Sequence, residues 1–331
     1  MNWWEIVGIT TIFYYITYFV IPWFIDCDIN LYMKEKFGRP LNSLQGKVVW
    51  IIGASSGIGE HLAYELAKIN CKLILSARRD KELQQVRNNC LKINLQLNEN
   101  DVKVLVMDIC DNASHKKALN YVISQFDKLD ILVNNAGRSQ RANWEKIDLN
   151  VDKEMFQLNV FSIIALSRLV YQYFTDKNSG KGHIVVTSSL AGILGIPYSG
   201  SYTGSKHALH GYFESLRMEK MNKHIPITMV CPGAINTPFL AESFTEEFGK
   251  KFGQKTEYAK NKLTAARCGY LMTVAIANQV NECWIAHSLA LQLTYIAKYY
   301  PNLASLMFYY LGQGFLQRLR DNKITVSNVK Q

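Results

Sequence analysis

Val48-Val-Trp-Ile-Ile52-Gly53-Ala-Ser-Ser-Gly57-Ile-Gly59 is a short, β-branched apolar run followed at once by three closely spaced glycines. The run predicts a strand over Val48–Ile52, buried on both faces. The glycines permit a tight turn and close backbone approach, and a helical pattern opens directly behind them near residue 58. A helix that starts there leaves its first N–H groups unpaired, with the positive end of its dipole aimed at the turn, a seat for a diphosphate. A lone glycine-rich run carries little weight. Strand, glycines and helix in that order make Gly53, Ser55, Ser56, Gly57, Ile58 and Gly59 a dinucleotide-binding turn.

Outward from this stretch, short apolar runs alternate with amphipathic ones. Strands are expected at Leu73–Leu75, Val102–Met107, Ile131–Val133, Ile184–Thr187 and Ile227–Cys231, with helices near 58–69, 80–91, 113–125, 152–174 and 202–221. Continuous apolar strands separated by helices predict an α/β fold, a doubly wound parallel sheet of the Rossmann type. With 331 residues, 48% of them hydrophobic, the chain holds one large domain with appendages. The net charge of +10 is spread along the chain and no nucleic-acid motif accompanies it. It suits an anionic membrane surface or a phosphorylated cofactor. None of the seven cysteines forms a Cys-x-x-Cys pair, so buried free thiols are expected rather than disulfides or a metal site.

The second strand ends Leu75-Ser-Ala77-Arg78-Arg79. An acidic residue there would bond the adenosine ribose and repel an added phosphate, whereas two guanidinium groups favour that phosphate through paired hydrogen bonds. Arg78 and Arg79 therefore predict NADP(H) over NAD(H). Asp108, after the third strand, is a candidate partner for the adenine amino group, and Asn134-Asn135-Ala-Gly137 ends the fourth where amides and small residues line a cofactor.

The chemistry is expected between Ser189 and Lys206. Tyr202 and Lys206 sit at i and i+4, so on a helix the ammonium lies beside the phenol. A phenol ordinarily titrates near roughly 10, and an adjacent positive charge favours its ionised form. Tyr-x-x-x-Lys also occurs at Tyr32/Lys36, Tyr64/Lys68, Tyr173/Lys177 and Tyr258/Lys262, read as surface helix pairs. The setting singles out Tyr202: Ser188-Ser189 closes an apolar strand upstream, and a serine hydroxyl there can share a carbonyl oxygen with the phenol.

These segments, together with Asn159 and Pro232-Gly-Ala-Ile-Asn-Thr237, resemble the short-chain dehydrogenase/reductase family over about residues 46–286. The resemblance implies Tyr202 as acid/base, Lys206 as its partner and a ligand of the nicotinamide ribose, and Ser189 as the carbonyl positioner. It further implies Asn159 as holder of a relay water and Thr237 as a contact of the nicotinamide carboxamide. One departure is Ile52, where the family places a threonine that ties the first turn to the Asn-Asn-Ala-Gly segment. The expected activity is NADPH-dependent reduction of a lipophilic ketone or aldehyde of the steroid, retinoid or quinone class. Oxidation of the matching alcohol, or a non-catalytic NADP(H)-binding membrane sensor, are the alternatives. A homodimer pairing the helices near 152–174 and 202–221 is expected by analogy with relatives.

Both ends are apolar. Residues 3–25 carry a single charge, Glu5, with Trp3, Trp4 and Trp23 near the edges, which predicts an uncleaved membrane anchor within residues 1–28. Lys34, Lys36 and Arg39 follow it, placing the domain on the cytosolic side of, by family likeness, the endoplasmic reticulum membrane. Cys27 is read as an ordinary interfacial cysteine rather than a palmitate acceptor. Residues 236–270 read as a strandless lid with Phe239, Leu240, Phe244 and Phe248 toward the substrate. The extension 287–331 reads as two aromatic helices interrupted by Pro301.

Overall fold

The computed structural model describes residues 1–220, 225–253, 259, 262–312 and 314–315. Helix α1 (Trp3–Val20) begins with a capping box: the Asn2 side chain accepts from the Glu5 N–H and the Glu5 carboxylate accepts from the Asn2 N–H. The stretch Trp3–Trp23 is long and apolar enough to cross a membrane and is almost unburied, exposing Ile9, Ile12, Phe13 and Ile16. No core claims it. The short helix α2 (Ile29–Phe37), capped by Asp28, is by contrast docked on the domain through Leu31, which is fully buried. Cys27 is in that core too, not at an interface, and burial, with Asp28 beside it, pushes its thiol up.

The alternating pattern then unfolds as β1 (Val48–Ile52), α3 (Gly57–Lys68), β2 (Lys72–Ala77), α4 (Asp80–Ile93), β3 (Val102–Val106), α5 (His115–Phe126), β4 (Ile131–Asn134), α6 (Leu149–Phe156), α7 (Ser162–Asp176), β5 (His183–Thr187), α8 (Gly200–Glu219) and β6 (Ile227–Pro232). After it come β7 (Ile235–Asn236), β8 (Leu263–Thr264), α9 (Ala265–Asn278), β9 (Glu282–Ile285), α10 (Ser288–Tyr299) and α11 (Pro301–Leu311). Seven parallel strands form the main sheet in the order β3-β2-β1-β4-β5-β6-β9. Strand alternation gives each face its own core. Val49 and Ile51 of β1 meet Leu62 of α3 and Leu271 of α9, while Val48, Trp50 and Ile52 meet Leu119 of α5, Leu166 of α7 and Leu209 of α8.

Four expectations change. The helix near 152–174 is interrupted between α6 and α7 by a π turn at Gln157–Phe161, where the Ser162 N–H reaches back to the Gln157 carbonyl. The segment 236–270 is not strandless: β7 pairs with β8, and from Ala265 it is helix. Helix α9 and strand β9 went unread because α9 is buried on nearly every side and shows no amphipathic stripe, and β9 is only four residues headed by a charge. Of the four lid aromatics and leucine, Phe239 and Leu240 line the cavity described below, Phe244 packs in the core against Val151 and Met155, and Phe248 is exposed. The expected break at Pro301 separates α10 from α11; α10 packs Tyr295 on Trp284 of β9, and α11 exposes Leu303, Leu306, Tyr309 and Tyr310. Residues 221, 254–258 (with Tyr258), 260, 261, 313 and 316–331 of the expected helices, lid and extension lie outside the described residues. All seven cysteines are free thiols and six are buried.

Candidate active site

Strand order reverses at β1, whose neighbours β2 and β4 lead away to opposite sides, so the loops beyond the carboxyl ends part and leave a crevice. A cavity of about 680 Å³ fills it. At one end lies the glycine turn. Gly53 and Gly57 have φ of 86° and 65°, and a Cβ on Gly53 would stand 2.7 Å from the Ala136 nitrogen. On Gly57 a Cβ would stand 3.2 Å from the Thr237 methyl group. Gly59 sits behind the cavity wall, where a Cβ would meet the Gly53 carbonyl oxygen at 2.2 Å; its bareness lets α3 start hard against the turn. The tie that Ile52 cannot make through a side chain is made by Asn135, whose backbone N–H donates to the Ile52 carbonyl and whose Nδ2 donates to the Gly53 carbonyl, both at 3.0 Å.

Beside this turn the Arg79 guanidinium donates from Nη2 to the Ser55 and Ser56 hydroxyls at 3.0 and 2.9 Å. Arg78 lies 3.8 Å from Asp108, and both are well exposed at the cavity edge. Ile58 and Thr237 complete this half of the lining.

The other end is built on β5 and α8. Ser189 follows β5 and caps a one-turn helix, its Oγ accepting from the Ala191 N–H at 3.1 Å and donating to the Pro232 carbonyl at 3.2 Å. Helix α8 begins at Gly200, so Tyr202 falls in its first turn and Lys206 in its second. The Lys206 ammonium lies 5.7 Å from the Tyr202 ring centre and donates to the Thr187 carbonyl at 2.8 Å. Its burial pulls its pKa down from 10.5 to about 8. The Tyr202 ring also meets Phe239 edge-on, with centres 6.2 Å apart.

Asn159 sits in the π turn, fully buried and behind the cavity lining. Its Oδ1 accepts from the Arg138 N–H at 2.9 Å, and its Nδ2 donates to the Arg138 carbonyl and to Ser205 Oγ at 2.8 and 3.1 Å. The side chain is thus committed to main chain and to α8 rather than turned toward a water. Thr187 Oγ1 is a buried hydroxyl with no hydrogen-bond partner among the described residues, at the cavity wall beside Lys206.

The family model for short chain dehydrogenases matches residues 47–247, from just before β1 to beyond the second half of the site. The chain belongs to that family. Dehydrogenase/reductase SDR family member 7 of Mus musculus is 39% identical to this short-chain dehydrogenase over 300 residues, 90% of this chain and 87% of its own. The hydroxysteroid 11-beta-dehydrogenase 1-like protein of Xenopus tropicalis is 35% identical over 202 residues, 60% of this chain and 68% of its own. An alcohol dehydrogenase from Thermococcus sibiricus, solved in complex with 5-hydroxy-NADP, shares the fold at a TM-score of 0.62 and 23% identity, over 73% of this chain and 96% of that one. As a short-chain dehydrogenase the protein is an oxidoreductase that uses a nicotinamide cofactor on a small-molecule substrate. The residues fit such a cofactor: the glycine cradle would be filled by any Cβ, the α3 N-terminus faces it, and Thr187 offers an unpartnered hydroxyl at the far end.

Sequence reasoning missed part of the wall. Leu190, Leu194 and Ile196 line it from the segment between β5 and α8, and Leu293 and Thr294 from α10. It also missed a polar bridge: Glu242 accepts from Arg138 at 3.2 Å and from Lys251 at 2.9 Å. Lys251, with Arg138 and Arg79 behind it, holds the Glu242 carboxyl below the usual carboxylate range.

Proposed function

We propose that this short-chain dehydrogenase is a membrane-anchored, NADPH-dependent reductase of lipophilic ketones and aldehydes. The observation that carries the reading is the buried Lys206 ammonium held beside the Tyr202 ring, in one cavity with Ser189 and with apolar walls. When bound, the cofactor supplies a hydride to the carbonyl carbon. Tyr202 gives its proton to the carbonyl oxygen, and the ammonium of Lys206 stabilises the phenolate left behind. Ser189 donates a second hydrogen bond to that oxygen, so charge developing there meets fixed donors rather than reorganising water. Lys206 also takes the nicotinamide ribose, and Thr237 the carboxamide.

Asn159 acts by position: clamping the Arg138 backbone to Ser205 fixes the strand end that faces Lys206, and a relay water falls to its main chain rather than its amide. At the other end Arg79, already oriented by Ser55 and Ser56, takes the ribose 2′-phosphate together with Arg78, with Asp108 beside the adenine. Leu190, Leu194, Phe239, Leu240 and Leu293 select a substrate of the steroid, retinoid or quinone kind. Residues 46–286 are the catalytic domain, followed by an extension that begins with α10 and α11. Residues 1–28 anchor it in the endoplasmic reticulum membrane, with Lys34, Lys36 and Arg39 on the cytosolic side. A second copy packs across α7 and α8, whose neighbourhood exposes Phe161, Tyr212 and Met218.

The test is NADPH consumption by membranes carrying wild type or Tyr202→Phe, with steroid ketones, retinal and small quinones, and again with NADH. Wild-type turnover with NADPH is expected to drop at least about a hundredfold in the variant, which keeps the ring but loses the proton. Equal NADPH binding by both proteins, with no carbonyl reduced and no matching alcohol oxidised by wild type, would sink the reading.

A further inference from the structure

Tyr202, Lys206 and His210 follow one another at i, i+4 and i+8 on the face of α8 turned toward the end of β5. Lys206 takes the Thr187 carbonyl, and one turn further His210 takes the next residue, its Nε2 lying 3.0 Å from Ser188 Oγ. Its Nδ1 lies 3.4 Å from Glu282 Oε2 on β9. The other Glu282 oxygen is pinned by the Trp284 indole N–H at 2.8 Å. Since the carboxylate can only accept, Nδ1 carries the imidazole proton and Nε2 is left to accept from the Ser188 hydroxyl.

Two further groups face the ring. Glu214 lies 3.8 Å from Nδ1, and the Cys231 thiol, kept protonated by burial, lies 3.6 Å from Nε2. Ser188 and His210 are 2% and 7% exposed, so water does not compete for their contact. The fold makes room for the pair at Gly192, where a Cβ would stand 2.7 Å from Ser188 Oγ and 2.9 Å from the His210 ring. Ser188 is also tied through its N–H to the Val230 carbonyl at 2.7 Å. Ser189 continues in extended backbone, so the two serine side chains leave the chain on opposite sides, that of Ser188 to His210 and that of Ser189 to the cavity side beside the Pro232 carbonyl.

We infer that Ser188, His210 and Glu282 are positioning residues for the reduction, a hydrogen-bonded chain that locks the serine turn onto the helix carrying Tyr202 and Lys206. The inference rests on the reductase reading above. None of the three touches the reacting atoms. Their effect is to fix where the Ser189 hydroxyl stands relative to the Tyr202 phenol, and a displacement of about 1 Å there costs up to about a hundredfold in rate.

The experiment measures kcat and KM with a steroid ketone and with retinal, the Kd of NADPH, and Tm, on full-length protein in membranes. The variants are Ser188→Ala, His210→Leu, the double variant, His210→Gln and His210→Asn. Each single apolar change is expected to lower kcat about tenfold, with KM and the NADPH Kd within about twofold. The double variant should be no worse than the poorer single one, because both changes break the same link. His210→Gln, whose amide reaches the Nε2 position, should recover more of kcat than His210→Asn. Losses that multiply in the double variant would overturn the inference, as would a kcat loss that follows Tm with Gln and Asn alike. An active wild type with an unaffected His210→Leu ends this inference alone. A wild type that binds NADPH and turns over neither carbonyls nor alcohols ends both readings.

Discussion

Arg79 stands between two hydroxyls at the mouth of the glycine turn with its guanidinium already aimed, so the proposed recognition of a ribose phosphate would need little further ordering. Arg79→Glu should raise the KM for NADPH by about ten- to a hundredfold while that for NADH changes little or falls, since charge-assisted hydrogen bonds to a phosphate are replaced by repulsion. Parallel titrations of the two cofactors by initial rate would show it. Lys206 makes a second prediction. Its folded pKa is near 8 against 10.5 in the unfolded chain, so the ammonium on which the proposed reduction depends is lost as pH rises through about 8. The kcat/KM for carbonyl reduction should therefore decline on the alkaline side of about pH 8. The linked effect on stability has the opposite sense: between the two values the unfolded chain holds more protons, so this lysine's contribution to stability grows with pH in that window. A reduction rate still climbing at pH 9 would contradict the assignment of Lys206 to the charged state.

At the scale of elements, the π turn between α6 and α7 and the docking of α2 on α9 are two departures from a regular βα alternation. The π turn adds one residue to the helix so that Asn159 faces Arg138 and Ser205. No periodicity announces it, because hydrophobic residues continue through it at nearly helical spacing. The docking of α2 turns on Arg267. Its guanidinium makes paired bonds to Asp26 at 2.8 and 2.9 Å and to Glu35 at 2.6 and 3.1 Å, and it lies over the Tyr270 ring. Arg267→Met should cost about 2 kcal/mol, because two carboxylates beside the core lose the cation that pairs with both while keeping some solvent. A Tm lowered by several degrees, with cofactor affinity unchanged, is the expected result of thermal unfolding with and without NADPH.

For the whole molecule, the apolar first helix and the domain meet at a sharp boundary. Helix α1 exposes Ile9, Ile12, Phe13 and Ile16, whereas Pro22 just beyond it is buried, Cys27 and Leu31 belong to the core, and Asp26 and Glu35 join the Arg267 bridge. Removing residues 2–23 should release a soluble, folded and NADPH-binding domain, while removing residues 2–40 should lower its Tm sharply; sedimentation of membranes followed by thermal unfolding distinguishes the two. The strand–glycine–helix turn, the Tyr202/Lys206 pair, Ser189 and the two arginines were legible in the sequence because each is local: a turn needs its glycines, and an i, i+4 pair shares a helix face whatever surrounds it. The apolar span at the start was legible for the same reason, length and composition alone. What tertiary structure decided was every feature that depends on a partner far along the chain. Asn135 replaces the tie that Ile52 lacks, α10 supplies a cavity wall from beyond residue 287, and β9 brings Glu282 to His210 across some 70 residues of chain. Buried elements such as α9 carry no amphipathic stripe, and hydrogen bonds between side chains distant in sequence leave no periodicity, so only the packed sheet determines which of them meet.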